Sequence, residues 1–294
     1  MSLNGVDLRV RVRNVARRGH RRGPVSGLVR SCHLPPTIVV IAIAGALAAA
    51  VGRGWGVVSV VAAVGSGQLA VGWSNDFIDR FRDRAAGRCD KPIVTGEVSG
   101  RAVRNAAVVA TMACVPLSFL SGWRAGGLHL VAVAIAFAYN VKLKCTVASP
   151  IPYAVAFGMV PAFVTLGMAG HPWPPLWAVG AAASLGCGAH FINTLNDIEE
   201  DRRLGVNGLP QRIGATRSLA VGASLMIVAV ALETFAPSGG TTPVAGVLFG
   251  VAMVLVIAVI VAGQRRATRI AWPLTLCVAL IATSLLIASG ASLR

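Results

Sequence analysis

The chain has 294 residues, of which 55% are hydrophobic and only 13% are charged, and its mean hydropathy is +0.71. This composition excludes a large soluble domain and indicates a polytopic membrane protein. The net charge of +16 is spread over loops without a nucleic-acid-binding module, so we expect contact with anionic lipid and a phosphorylated substrate, and no nucleic acid as partner.

The chain begins with a basic segment, residues 1–29, which we interpret as a flexible cytoplasmic tail. One transmembrane domain, residues 30–294, is predicted to follow without a linker. Its apolar stretches predict an all-α protein with nine transmembrane helices, arranged as two four-helix halves plus a ninth helix. These stretches lie near 36–52, 55–75, 102–122, 125–140, 150–170, 173–195, 217–235, 243–263 and 270–289.

The distribution of Lys and Arg predicts the orientation of this bundle in an integral cell membrane. With nine spans, 24 basic residues fall on one side, and only Arg53, Arg124 and Arg294 fall on the other. Because basic loops stay in the cytoplasm, we expect a cytoplasmic N-terminus and an external C-terminus. The long, charged loops at 76–101 and 196–216 then place the active site on the cytoplasmic face.

Nine of the eleven carboxylates fall into two clusters that follow the second and sixth apolar stretches. Both clusters contain the pattern Asn-x3-Asp-x3-Asp. Residues four apart share one face of a helix, so each pattern predicts a stripe of oxygen ligands. Such crowded carboxylates repel one another unless cations lie between them, which indicates a Mg2+ site. The predicted metal ligands are Asn75, Asp76, Asp79 and Asp83 in the first cluster and Asn193, Asp197 and Asp201 in the second.

Basic residues in the adjoining loops are candidates for binding a diphosphate alongside the metal, although any one of them could simply mark the cytoplasmic side. The candidates are Arg82, Arg88, Lys91, Lys142, Lys144 and Arg203.

These motifs resemble those of the UbiA superfamily of intramembrane prenyltransferases. The resemblance covers the chain from about Arg30. It rests on Asn75-Asp76-x2-Asp79-x3-Asp83, on Asp197-x3-Asp201, and on the segment Tyr139-Asn140-Val141-Lys142-Leu143-Lys144. It implies a helical bundle with a central cavity open to the cytoplasmic side. The implied activity is Mg2+-dependent transfer of an isoprenoid from its diphosphate to an acceptor, often aromatic. Asp79, Asp197, Tyr139 and Lys142 are then the expected catalytic residues.

Two positions depart from the family pattern: Lys91 stands where many members have Arg, and Asn207 stands where Lys is common. Lys91 keeps the charge but loses bidentate geometry. Near the cytoplasmic ends of the spans, His190 could orient or deprotonate an acceptor or serve as a helix–helix contact. Aromatic side chains there, including Trp73 and Phe77, could line a carbocation pocket or simply pack.

Two other functions remain open at this point. A terpene cyclase of the same superfamily would ionise the same diphosphate and close a ring without an acceptor, and no residue separates it from a transferase. A cation-coupled transporter is less favoured, because its charges would lie near the bilayer midplane rather than at the cytoplasmic ends of helices.

Overall fold

The computed structural model describes residues 23–265 and 268–293. Within these ranges the chain forms α-helices and short 3-10 turns and no β-strand. The helices are α1 (Pro24–Arg30), α2 (Leu34–Ala50), α3 (Gly56–Ala85), α4 (Pro92–Thr95), α5 (Gly100–Phe119), α6 (Trp123–Val141), α7 (Ile151–Leu166), α8 (Leu176–Asn193), α9 (Ile198–Arg203), α10 (Leu209–Ile213), α11 (Ala215–Phe235), α12 (Pro243–Gln264) and α13 (Thr268–Ala288).

The predicted all-helical membrane architecture is confirmed. Each of the nine apolar stretches corresponds to a long helix among the described residues. By length and hydropathy, six helices can cross a membrane, and a seventh span is added if α1 and α2, which meet at a 60° bend, are counted as one. Helix α7 is apolar but has only 16 residues. The number of nine spans therefore stays a prediction. Most of the predicted tail, up to residue 22, lies outside the described residues.

The long helices pack side by side into a closed bundle. Helix α3 packs against α2, α5 and α6, helix α8 lies between α7 and α11, and α13 contacts both α12 and α2. Two apolar cores result. One includes Leu47, Val60 and Phe163 from α2, α3 and α7, and the other includes Met226 and Val256 from α11 and α12. Burying these side chains holds the halves together around the site.

Helix α3 extends without a break from the apolar core of the bundle to the first acidic cluster. It has 30 residues and continues to Ala85, about ten residues beyond the predicted span. Its buried positions run from Val60 and Gly67 to Ser74 and on to the buried aspartates. Because these positions follow helical spacing, the side of α3 that packs in the core also presents the carboxylates to the interior.

The bend between α1 and α2 also positions the site. A Cβ on Gly72 would lie 2.7 Å from the carbonyl oxygen of Cys32, so only glycine lets the bend approach α3 this closely. His33, at φ 55°, occupies the left-handed region at this bend, where Leu34 starts α2. The close approach brings the His33 side chain to the first acidic cluster.

Candidate active site

The first cluster lies on one face of α3, as its spacing predicts. Asn75, Asp79 and Asp83 all belong to this uninterrupted helix. Asp76 is 2% exposed, and Asp79 and Asp83 are each 8% exposed. Carboxylates this buried need cations or hydrogen-bond donors to remain ionised.

Asp79 is held between two cations. Its Oδ1 accepts a hydrogen bond from the Nζ of Lys144, and its Oδ2 lies 2.6 Å from Nη2 of Arg82. Lys144 is 7% exposed and lies just beyond α6. Burial lowers the pKa of the Lys144 amine, and the Asp79 carboxylate opposes that shift. This ion pair links the end of α3 to the loop after α6.

Asp76 contacts a different pair of side chains. Lys91 Nζ lies 2.6 Å from Asp76 Oδ1, and His33 Nε2 lies 3.1 Å from the same oxygen. The candidate diphosphate ligand Lys91 therefore lies inside the acidic site, only 15% exposed. The sequence analysis did not identify His33, which lies 43 residues from its partner.

Asn75 has an amide partner. It donates to Asn140 Oδ1 at 3.1 Å, and the Asn140 amide in turn donates to Val71 O and Ser74 Oγ, each at 2.9 Å. Asn140 is buried and directly follows Tyr139 in α6. This network fixes α6 against α3 at the level of the site.

The second cluster does not form the continuous stripe that its spacing predicts. Helix α8 ends at Asn193, residues 194–196 form a 3-10 turn, and α9 starts after Asp197. Asp197 and Asp201 remain one helical turn apart, but exposed Asn193 belongs to a different helix. A 3-10 turn has three residues per turn rather than 3.6, so it rotates the chain out of the α-helical register. The prediction of one three-residue helical face is wrong for this cluster.

Asp201 lies within electrostatic range of Arg82 and Arg88. It accepts a hydrogen bond from Gln211 Nε2 at 2.8 Å. Burial raises the pKa of the Asp201 carboxyl, whereas the Gln211 hydrogen bond and the charges of Arg82 and Arg88 lower it. Arg82 and Arg88, which lie in or near the first cluster, thus affect the pKa of a carboxyl group in the second cluster. The two predicted clusters are therefore close enough in space to form one site.

Arg88 is bound to Asp90 by two hydrogen bonds of 3.0 Å. This pairing raises the pKa of the Arg88 guanidinium, and the charges of Asp197 and Asp83 act in the same direction. The pairing lowers the pKa of the Asp90 carboxyl. Arg88 therefore lies between the two acidic clusters, where the sequence analysis expected a diphosphate ligand.

The remaining basic candidates lie further out. Lys142 and Arg203 are both exposed, in contrast to Lys144. Arg30 is bound to Glu97, with Nη1 and Oε2 2.6 Å apart, and also donates to the Asp90 carbonyl oxygen. Arg30 and Glu97 thus tie α1 to the segment that carries Arg88 and Lys91.

An aromatic group lies beside the acidic site. The ring of Tyr139 meets the ring of Tyr153 edge-on, with centroids 5.2 Å apart, and Asp79 and Asp201 both act electrostatically on Tyr139. Tyr153 also stacks on Phe157 at 6.4 Å. Phe157 lines a mainly apolar cleft between α2, α3, α6 and α7 with a cavity volume of about 70 Å³. The three rings in contact, Tyr139, Tyr153 and Phe157, therefore connect the acidic site to the apolar cleft within the bundle.

Two of the aromatic candidates from the sequence contribute to packing instead. Trp73 donates its indole N–H to Leu28 O at 2.9 Å, and Trp73 and Phe77 pack against the apolar cluster of Ile93 and Val103. They hold α1 and α4 on the outside of α3. Of the two alternatives that the sequence left open for these rings, packing applies, because the buried face of α3 carries the aspartates and not these rings.

The chemistry of the donor set fits Mg2+ bound together with a diphosphate. Among the described residues, no three His, Cys, Asp or Glu side chains converge as a complete metal cage. Mg2+ rarely uses such cages, and usually takes one or two carboxylates plus substrate phosphate oxygens and water. Asp79, Asp83, Asp197 and Asp201 could supply the carboxylates, and the neighbouring Lys and Arg side chains could contact the phosphates.

Several residues of this site escaped the sequence analysis, chiefly His33, Asn140 and Gln211. Asn140 lies inside the Tyr139–Lys144 segment that resembles the family, so the sequence did indicate that this part of the chain belongs to the site. Gln211 follows Pro210 in the loop after the second cluster. A Cβ on Gly208 would lie 2.6 Å from Lys144 O, so glycine allows this loop to pack on the Lys144 segment.

Comparison with known proteins gives consistent matches. The sequence profile of the UbiA prenyltransferase family matches residues 34–276. Bacteriochlorophyll synthase 33 kDa chain of Cereibacter sphaeroides is 31% identical over 185 residues, which cover 56% of this chain and 57% of that protein. The match therefore spans little more than half of that relative's length.

Solved structures match over most of the chain. A UbiA homolog from Aeropyrum pernix superposes with a TM-score of 0.72 at 22% identity, covering 86% of this chain and 97% of that one. A UbiA homolog from Archaeoglobus fulgidus, bound to GPP and Mg2+, gives 0.66 at 18% identity, covering 90% and 98%. At these identities the match establishes a shared fold.

Proposed function

Because the chain belongs to the UbiA prenyltransferase family, we propose that it transfers an isoprenoid chain from an isoprenyl diphosphate to an acceptor within the membrane. The acceptor is expected to be aromatic, and the reaction to depend on Mg2+. The bound GPP and Mg2+ of the Archaeoglobus fulgidus homolog support this choice of substrate class and metal.

The observation that carries the proposal is the arrangement of charge around Asp79 and Asp201. Lys144 and Arg82 bind Asp79, and Arg82 and Arg88 also act on Asp201. A diphosphate placed among these groups meets cations from three chain segments. Such a set of preorganised charges can stabilise a leaving group as negative charge develops on it.

The reaction begins when the C–O bond between the isoprenoid and its diphosphate breaks and the bonding electrons leave with the diphosphate. Mg2+ would supply charge neutralisation for this leaving group. Arg82, Arg88 and Lys144 would hold the phosphate oxygens by charge-assisted hydrogen bonds. The acidic side chains would orient the diphosphate so that its carbon faces the aromatic group.

The allylic cation formed in this way needs an environment that stabilises it without reacting with it. Tyr139 and Tyr153 present π-faces beside the acidic site, and ring quadrupoles attract a cation. The hydrocarbon chain would pack along the mainly apolar side chains of the cleft that begins at Phe157. The cation then forms a bond to the acceptor, which loses a proton to complete the transfer.

The site is proposed to open to the cytoplasm, with the N-terminus on the same side and the C-terminus outside. The 24-to-3 distribution of basic residues supports this orientation. The long loops that hold Lys91, Lys144 and Gln211 all lie at the end of the bundle that bears the acidic clusters.

Diphosphate release tests the proposal. Purified protein in lipid nanodiscs is incubated with geranyl, farnesyl and geranylgeranyl diphosphates, with Mg2+ or with EDTA. We expect release with Mg2+, none with EDTA, and recovery when Mg2+ is restored. Release that does not depend on the metal would refute the role assigned to the carboxylates. A cyclic hydrocarbon formed without acceptor would show that the protein is a cyclase.

A further inference from the structure

His190, in α8, is buried against residues of α6 and α7. Its side chain is 1% exposed. The ring stacks on Tyr153 with centroids 4.5 Å apart, and it meets Tyr139 edge-on at 5.7 Å. The mechanism described above uses both tyrosines but assigns no role to His190.

Ser149 is the hydrogen-bond partner of the His190 Nε2 atom. The Oγ of Ser149 accepts a hydrogen bond from the backbone N–H of Leu209 at 3.1 Å and lies 3.3 Å from His190 Nε2. With an acceptor site of Oγ occupied by Leu209, the hydroxyl proton is available for Nε2. A neutral imidazole has one N–H, so when the Ser149 hydroxyl donates to Nε2, the proton of the ring is on Nδ1.

The Nδ1 atom is then a buried donor. Within residues 23–265 and 268–293, it has no hydrogen-bond partner. An unpaired buried donor costs about 1–3 kcal/mol, so native proteins rarely keep one without a purpose. A side chain that served only to join α8 to Ser149 would not require this second polar atom.

The neighbours of His190 connect it to the proposed reaction centre. Tyr139, in contact with His190, is within electrostatic range of Asp79 and Asp201. Ser149, the other neighbour of His190, packs against the loop whose Gln211 binds Asp201. His190 therefore lies one aromatic ring away from the acidic clusters.

We propose that the Nδ1–H of His190, held in this tautomer by Ser149, donates a hydrogen bond to an oxygen atom of the molecule that receives the isoprenoid. This inference rests on the proposed function and refines it. The acceptor must carry a hydroxyl or carbonyl oxygen close to the atom that is alkylated. His190 is a positioning residue for the acceptor and takes no part in ionising the diphosphate.

The tautomer is tested first, by nitrogen NMR of the full chain labelled with 15N-histidine in nanodiscs. The His190 signals are assigned from the spectrum of His190→Asn. We expect a protonated Nδ1 and an unprotonated Nε2 in the wild type, and loss of this preference in Ser149→Ala. A protonated Nε2 in the wild-type protein would overturn the proposal.

Binding is tested with 4-fluorophenol, which carries an oxygen, and 4-fluorotoluene, a probe of similar size in which a methyl group replaces the hydroxyl. We expect 4-fluorophenol to shift the His190 Nδ1–H resonance saturably and 4-fluorotoluene to leave it unchanged. An equal response to both probes, or no response to either, would mean that the Nδ1–H does not bind the oxygen of the probe. Either result would overturn the proposal.

A pair of variants separates the hydrogen bond from packing. His190→Asn keeps an N–H near the place of Nδ1, whereas His190→Gln keeps a polar contact to Ser149 and removes the donor. Measured by fluorine NMR, 4-fluorophenol should bind about tenfold more weakly to His190→Gln than to His190→Asn, as expected for one lost hydrogen bond. Equal affinities of the two variants would contradict the assignment. His171→Asn, in an exposed loop between α7 and α8, is the control and should bind as the wild type does.

The two proposals fail in different ways. If wild-type protein releases no diphosphate from geranyl diphosphate in the presence of Mg2+, the proposed function fails, while the tautomer and probe binding still report on His190. If diphosphate is released but His190 does not respond to 4-fluorophenol, the transferase proposal stands and the acceptor contact fails.

Discussion

Replacing Lys144 by Met removes the buried charge that binds Asp79 and keeps a side chain of similar length. The side chains of Lys144 and Asp79 are 8% and 10% exposed. Removing one partner of an isolated buried ion pair costs about 3–5 kcal/mol. Here Arg82 remains bound to the other carboxylate oxygen of Asp79 at 2.6 Å. The loss should therefore resemble that of one charge-assisted hydrogen bond, about 1.5–3 kcal/mol.

In the proposed mechanism Lys144 also makes a charge-assisted hydrogen bond to a phosphate oxygen, and losing that bond should lower kcat/KM for diphosphate release about tenfold to hundredfold. The assay uses geranyl diphosphate and Mg2+ with nanodisc-embedded protein, and amounts are normalised to folded protein. Arg101→Met, at an exposed position in α5, is the control and should stay within about twofold of wild type. Wild-type kcat/KM in Lys144→Met would refute the reasoning. A large loss in Lys142→Met without one in Lys144→Met would show that exposed Lys142 is the functional amine.

Further predictions concern the carboxylates, the topology and the stability of the opposite end of the bundle. Asp79→Asn and Asp197→Asn should each abolish diphosphate release while the protein remains folded in the membrane, and near-wild-type release by either variant would contradict a site that uses both clusters. A C-terminal alkaline phosphatase fusion should be active and a C-terminal fluorescent fusion dark; the reverse pattern would contradict nine spans. Arg53→Ala removes hydrogen bonds to Val164 O at 3.1 Å and Ser121 Oγ at 3.3 Å. It should lower the free energy of unfolding by about 1–3 kcal/mol, seen as a reduced Tm in detergent, and an unchanged Tm would show that these contacts contribute little.

The sequence by itself determined the class of the protein, the approximate limits of its helices and the residues of its acidic clusters. Hydrophobic stretches that must satisfy their backbone hydrogen bonds in lipid can only become helices, which is why composition predicts this fold class so directly. The spacing of Asn75, Asp79 and Asp83 predicted one helix face because α3 continues without a break. The same spacing gave a wrong prediction at Asn193, because the helix is interrupted by a 3-10 turn at 194–196 that contacts α10, α11 and α13, and residue spacing does not encode those contacts.

Only the tertiary structure decided which side chains meet. Lys142 and Lys144 are two residues apart and identical in type, yet one is exposed and the other is bound to Asp79, 65 residues away. His33 reaches Asp76 because the bend before α2 packs on Gly72. Ser149 Oγ contacts His190 and also accepts a hydrogen bond from Leu209, so three distant segments of the chain meet at this atom. Ion pairs and hydrogen bonds act over a few ångströms, so they depend on how helices pack, and residue spacing along the chain does not encode that packing.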